Sequence, residues 1–420
     1  MGATMAGLRV VISLNFFVIF STIFTLSHEE CLLEKSNYTQ YLGAKTPYRV
    51  RMNTNMDPIG YLGCEPLQFW TIIRHGTRYP SSKVIRNMMK NLPLLKDKIL
   101  GSYNEGKGEL CEYEADLFTE WTLKVEEANE KQLAHEGEDE MKDLGERWLQ
   151  RLPSLLTESY DNNSYEFRHT ATQRTALSAR SFAIGLFGRH KAAHVWYPQP
   201  IAKDPLIRFY KLCSRWKKDV DKNPASLVEK LKFKETQEMK AVVQRVSIKL
   251  GLNSLTYDDI HLMFITCGFE TAWNKYSKSP WCAAFSEEDL KLLDFKSIAS
   301  GKGSQKKGIF YFTHSGALLK LISLLGLYKD EETLRSDNFD DLKYLKRRWR
   351  VSYLDSFGTN LAFVLFRCSD DFKIAGYHQE RPFIFPGCDA TPCSLSKVRN
   401  LYRDAVFMCE FDQTCSLARS

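Results

Sequence analysis

Seven consecutive residues, Arg74-His75-Gly76-Thr77-Arg78-Tyr79-Pro80, place an imidazole between two guanidiniums. Guanidinium forks are planar and permanently charged, and they match phosphoryl oxygens in bidentate fashion. Gly76 lets the backbone approach a ligand closely or adopt a turn that a side chain would forbid. Positive charge on both sides disfavours imidazolium, so His75 is expected to be neutral and free to act as a nucleophile. The chemistry this spacing suits is phosphoryl transfer, with Arg74 and Arg78 holding the oxygens and Thr77 and Lys83 as further candidates for lining the pocket. The plainer reading, a turn histidine among surface arginines, has to explain five specified positions arising together by chance.

Two later stretches carry similar groups. Within Tyr165–Thr175 a short strand runs into a helix read from Thr172 to Phe187, with Arg174 in its first turn. A cation there opposes the helix dipole unless an anion binds nearby. Gly308–Gly316 reads as a second element whose strand ends in His314, followed by Ser315-Gly316 and an apolar helix, Ala317–Leu325. The first motif likewise follows an apolar run, Leu67–Ile73, and leads into a helix near Ser82–Lys90. Three strand-to-turn junctions thus present Arg74 with His75, Arg174, and His314. In an open α/β sheet the carboxyl ends of the strands share one rim, where ligands bind.

RHGTRYP resembles the RHG-x-R-x-P signature of the histidine acid phosphatases, the branch of the phosphoglycerate-mutase-like superfamily that includes phytases. The mutase branch shares Arg-His-Gly but lacks counterparts of Arg78 and Pro80. Within the phosphatase branch, the run Cys64–Pro80 and the later FSEEDLKLLDF and LLKLISLLGLYKD are similar to the multiple inositol polyphosphate phosphatases, and the likeness covers nearly the whole chain after the N-terminal segment. It implies an α/β fold, a phosphoglycerate-mutase-like open sheet flanked by helices with an inserted α-helical cap. The phosphatase domain would comprise residues 28–190 and 305–420, and the mostly helical cap residues 191–304. It also implies a phosphohistidine intermediate on His75 and a phosphate clamp completed by Arg174, with Arg168 as the fallback. His314 would hydrogen-bond the phosphoryl group, no cofactor would be needed, and Cys64 would pair with Cys368. The implied substrates are inositol polyphosphates such as phytate, and 2,3-bisphosphoglycerate.

One departure stands out. Relatives carry His-Ala-Glu or His-Asp where this chain has His314-Ser315-Gly316, and the acid there protonates the leaving alcohol. Ser315 is a candidate lining residue, but neither it nor Gly316 is a carboxylic acid. Aryl phosphates, whose leaving groups need no proton, are therefore expected to be cleaved better relative to phytate. Two other readings follow: a phosphoanion-binding protein that has lost catalysis, and a broad-specificity acid phosphatase. The segment Phe295–His314 also looks shorter than in relatives.

The remaining sequence bounds these readings. The chain has 420 residues, 26% charged, with a formal charge of +7, and no basic run interleaved with aromatics that would argue for nucleic acid. Gly301–Gly308 reads as a loop and lacks P-loop spacing. His190 and His194 lie one helical turn apart without the carboxylate of an HExxH pattern, so no metal is expected. His135 and Glu136 lie in a helical stretch from Leu133 to Arg151 whose charges are read as a solvated face rather than as an acid/base pair. Asn360–Phe366 reads as a buried strand, with Phe372–Tyr377 and Pro382–Phe385 as a hairpin.

Residues 1–27 have the layout of a secretory signal peptide, the alternative being an uncleaved anchor; no other stretch is apolar enough to cross a membrane. Eleven cysteines suggest a disulfide set with one thiol left over. Short spacings favour Cys267 with Cys282, Cys388 with Cys393, and Cys409 with Cys415. Asn37 and Asn162 open glycosylation sequons. With no retention tetrapeptide or lipid-anchor tail at the C-terminus, secretion is the expectation.

Overall fold

The structure is a computed structural model that describes residues 31–294, 308–332, 335–339, 346–369 and 371–417. The expected signal peptide and most of the Gly301–Gly308 loop lie outside the described residues. The centre is a seven-stranded sheet: β1 (Cys64–Arg74), β2 (Tyr165–His169), β3 (Gly308–Thr313), β4 (Asn360–Cys368), β5 (Asp371–His378) and β6 (Arg381–Phe383) in the order β2-β3-β1-β4-β5-β6, with Cys393–Ser394 paired to β5. β2, β3 and β1 run parallel, and the rest of the sheet is antiparallel. Arg74 lies opposite Thr313, and His169 opposite Phe312. The three strand ends that precede the candidate residues therefore share one rim of the sheet.

β3 is buried throughout, which explains why it reads as a continuous apolar run rather than an alternation. Its side chains still divide by the two-residue strand period. Phe310 and Phe312 join Phe69 and Ile73 of β1 on one face, covered by α2 (His135–Arg151) and α3 (Gln173–Ala192) through Trp148 and Phe182. Ile309 and Tyr311 join Trp70 and Ile72 on the other, covered by α6 (Ser315–Leu324) through Leu318 and Ile322.

A second core is helical. α1 (Ser82–Asn104) carries Ile85, Met88, Leu92, Leu95 and Ile99 at alternating steps of three and four, a stripe that must be buried. It packs with α4 (Gln237–Leu250) and α5 (Tyr257–Trp273), whose Val242, Val246 and Met263 share one cluster with Met88, Leu92 and Ile99. The helical layer thus draws on α1 as well as on α4 and α5.

The 135–151 helix is only partly the solvated element expected. Glu136, Glu140, Arg147 and Arg151 are all buried. Arg147 bridges both oxygens of the buried Glu380 at 2.7 and 2.9 Å, and Arg151 also donates to it. Charges with partners in a distant strand connection need no water.

Cys64–Cys368, Cys267–Cys282 and Cys388–Cys393 form disulfides. The expected Cys409–Cys415 pair does not: Cys415 bonds Cys213, Cys31 bonds Cys111, and Cys409 is free and exposed. Spacing registers only local neighbours, whereas folding brings the Cα atoms of Cys213 and Cys415 within 4.5 Å across 202 residues. Among the described residues no helix is long and apolar enough to cross a membrane.

Candidate phosphate site

His75 leaves β1 at the rim and is held by its backbone on both sides. Its N–H donates to the Thr313 carbonyl at 3.1 Å, and its carbonyl accepts from Gly358 at 3.2 Å. The ring Nδ1 lies 2.9 Å from the Gly76 carbonyl. A carbonyl can only accept, so Nδ1 carries the proton and Nε2 keeps the lone pair. The ring is 4% exposed, and its pKa lies well below the ordinary value because of burial and then Arg74, His314, Arg78 and Arg174. A neutral imidazole with a fixed tautomer is the state a nucleophile requires.

The turn after His75 depends on a close backbone approach. A Cβ on Gly76 would fall 2.3 Å from the carbonyl oxygen of Gly137, and one on Gly137 would fall 2.2 Å from the oxygen of Thr77. Glu140, one turn along α2, accepts from the Thr77 amide at 2.7 Å and the Thr77 hydroxyl at 2.9 Å. Burial pushes the Glu140 carboxyl up to about 7 against these donors. Thr77 is therefore fully buried and committed to Glu140 rather than available as a lining residue. Lys83 sits exposed in the first turn of α1.

His314 comes from the end of β3, its ring centroid 5.5 Å from that of His75. Its Nε2 meets the Thr170 hydroxyl at 2.9 Å and its Nδ1 faces the Arg174 guanidinium at 3.4 Å. Burial, then Arg174 and Arg208, push its pKa down to about 2. Arg168, the fallback, is elsewhere: its Nε donates to Asp204 at 2.8 Å.

The cations crowd one another. Arg78 is pushed down to about 9 by burial, Arg74 and Arg174, and Arg174 to about 10 by burial, Arg208 and Arg74. Two further cations join them that sequence reasoning missed. Lys45, from the turn Gly43–Lys45, is pushed down to about 7 by burial, Arg78 and Arg74. Arg208 precedes a short helical turn, Phe209–Lys211, beyond β2 and α3. Neither carried a local pattern, and only the fold brings them in. Arg74 lies over the Phe357 ring at 4.6 Å, and its Nη2 donates to the Ala44 carbonyl at 3.0 Å. The Nε groups of Arg74, Arg174 and Arg208 are buried without a hydrogen-bond partner. Buried donors of that kind are costly unless something accepts from them, and a phosphoryl group offers several acceptor oxygens with the charge this cluster lacks.

Carboxylates are few here. The Asp355 carboxyl, fully buried, lies 3.4 Å from Arg74 and accepts from the Ser315 hydroxyl at 2.5 Å. His135 is exposed and faces Asp139, while Glu136 pairs with Arg49 at 3.3 Å and Lys275 at 3.4 Å, so the two do not act together. His190 and His194 are exposed, and among the described residues no group of three or more His, Cys, Asp or Glu could hold a metal ion.

Known proteins resemble this chain over most of its length. The multiple inositol polyphosphate phosphatase 1 of Drosophila melanogaster is 30% identical over 406 residues, covering 87% of this chain and 85% of that protein. Its namesake from Homo sapiens is 26% identical, covering 92% and 90%. Among solved structures, the phytase from D. castellii superposes with a TM-score of 0.71 at 17% identity, covering 91% of this chain and 88% of that one, which speaks to the fold. Residues 67–299, more than half of the chain, match the family described as the histidine phosphatase superfamily (branch 2). With that match and that relative, the chain belongs to the histidine phosphatase superfamily, branch 2.

Proposed function

We propose that this protein is a phosphomonoesterase that uses His75 as nucleophile on inositol polyphosphates, phytate and lower inositol phosphates among them, with 2,3-bisphosphoglycerate as a further substrate. The observation that carries the reading is the neutral His75, its Nε2 lone pair free, set among Arg74, Arg78, Arg174, Lys45 and Arg208. Nε2 attacks phosphorus in line, the bond to the leaving oxygen breaks, and water later hydrolyses the phosphohistidine. The arginines and His314 hold the equatorial oxygens as charge builds on them. A substrate with several phosphates suits so many cations, and the names of the relatives from Drosophila melanogaster and Homo sapiens point the same way.

Secretion belongs to this proposal. Five disulfides and the exposed Asn37 and Asn162 sequons support passage through an oxidising, glycosylating compartment. Recovery of the expressed protein from the medium, with a mass that falls on deglycosylation, checks it.

The test of activity is a panel of phytate, 2,3-bisphosphoglycerate and nitrophenyl phosphate from acid to neutral pH, combined with rapid-quench labelling by radioactive phosphoester. Turnover together with label on His75, both lost in His75→Ala, is the expected result. The second reading, a phosphoanion-binding protein without catalysis, is favoured by the missing acid at Ser315 and Gly316. It predicts phosphate binding with neither label nor turnover.

A further inference from the structure

The first turn of α6 contains no acidic residue. The site nevertheless holds one carboxyl, brought to the same rim by the connection into β4, whose Asn360 pairs with Ile73 of β1. Asp355 lies in the connection just before β4, and its Oδ2 is 2.5 Å from the Ser315 hydroxyl. Ser315 directly follows His314, whose ring faces His75, and it is only partly buried. Asp355 is 0% exposed, and its Oδ1 has no hydrogen-bond partner, although Arg74 Nη1 is 3.4 Å away.

We propose that Asp355 supplies the leaving-group proton through the Ser315 hydroxyl, a relay that rests on the phosphatase reading above and deepens it. In the first step a bond forms between His75 Nε2 and phosphorus while the ester P–O bond breaks. The leaving oxygen takes the Ser315 proton, Ser315 takes the proton of the Asp355 carboxylic acid, and the resulting carboxylate stays beside Arg74. In the second step water attacks phosphorus and gives a proton to Ser315, whose own proton returns to Asp355. The P–Nε2 bond breaks, leaving phosphate, neutral His75 and the acid restored.

The surroundings of Asp355 suit both states. Burial raises its pKa, favouring the acid, while Arg74, the Ser315 hydrogen bond and Lys45 pull the other way and favour the carboxylate once the proton has gone. A bound phosphate dianion adds negative charge to the same space and favours the acid before the reaction.

The test measures the single-turnover rate of His75 phosphorylation for an alkyl ester, glycerol 2-phosphate, and for nitrophenyl phosphate. The full chain is compared with Ser315→Ala, Ser315→Thr and Asp355→Asn. Loss of a general acid costs about 10²- to 10⁴-fold. The alkyl rate is expected to fall by that factor in Ser315→Ala and Asp355→Asn, the nitrophenyl rate by less than about tenfold, and Ser315→Thr should retain the alkyl rate. Ser315→Ala leaves the Arg74–Asp355 pair in place, so its result stands even if Asp355→Asn folds poorly. Equal losses for the two esters, or no loss, would overturn the relay while leaving the phosphatase reading intact. Absence of label on His75 in the unaltered protein would overturn the phosphatase reading and the relay with it.

Discussion

Arg168 and Arg174 flank one strand-to-helix turn, yet their partners differ. Arg174 faces His314 and keeps a buried Nε without a partner, whereas Arg168 is bonded to Asp204, which is 1% exposed. Arg174→Ala should therefore weaken inorganic phosphate binding by about 10- to 150-fold, the worth of a hydrogen bond between charged groups at about 1.5–3 kcal/mol. Isothermal titration checks this. Arg168→Ala should leave phosphate affinity within about threefold and instead lower stability in urea unfolding. Its cost should stay below the about 3–5 kcal/mol of breaking a fully buried pair, because Asp204 retains the amides of Leu206 and Ile207. Both arginines were visible as residue types in the sequence, and the dipole misfit singled out Arg174. Thr77 and Lys83 show the limit of that approach: proximity in sequence says nothing about which way a side chain turns.

At the scale of elements, the site is held by backbone pressed against backbone, where α2 meets the turn after β1. Gly137→Ala would put a methyl 2.2 Å from the Thr77 carbonyl oxygen, and one partner would have to move. Overpacking of this kind costs about 1–3 kcal/mol, and a displacement of about 1 Å near the nucleophile can lower turnover about 10²-fold. Gly101→Ala is the control. Nothing lies within 4 Å of its added Cβ on α1, so stability should hold or rise and turnover should not change. Thermal unfolding and kcat on nitrophenyl phosphate separate the two variants. This contact was hidden in the sequence because Leu133–Arg151 reads as an acid-rich surface helix, and the partners of the buried Glu140, Arg147 and Arg151, Thr77 and Glu380 among them, lie far off in the chain.

At the scale of the molecule, acid should loosen the fold. His75, His314 and His378 all have pKa values below the ordinary 6.5, with His314 at about 2 and His378 at about 4, so the unfolded chain takes up these protons first as pH drops below 6.5. Stability should fall with pH in that range. Glu270, like Glu140, acts in the opposite sense. Burial raises it from 4.5 to about 7, so the folded state binds its proton first, and its stabilising effect is full below 4.5 and lost as pH rises through 7. Glu270→Gln, which replaces a carboxyl that bonds Trp121 and Ser279, should therefore make the decline between pH 7 and 4.5 steeper in urea unfolding curves. Disulfide mapping is a second check: iodoacetamide should label only Cys409 in the unreduced protein, and Cys213 and Cys415 should appear in one linked peptide. Losing that link through Cys213→Ser should cost about 2–4 kcal/mol.

What the sequence determined by itself was the kind of chemistry and the strands that deliver it. Charge type, the glycine within RHGTRYP and the strand-to-turn punctuation are local properties, and they sufficed to name His75, Arg74, Arg78, Arg174 and His314 as neighbours in function. What only the tertiary structure decided is everything that crosses the sheet or joins distant loops. Lys45, Arg208 and Asp355 have no local signal. Cys213 and Cys415 are separated by 202 residues, and Asp355 reaches Ser315 only because β4 lies next to β1 and β1 next to β3. A missing acid at position 316 is a fact of the sequence. Whether the site has a proton to give depends on which residues the sheet brings together, and burial sets the charge state of a carboxyl placed there.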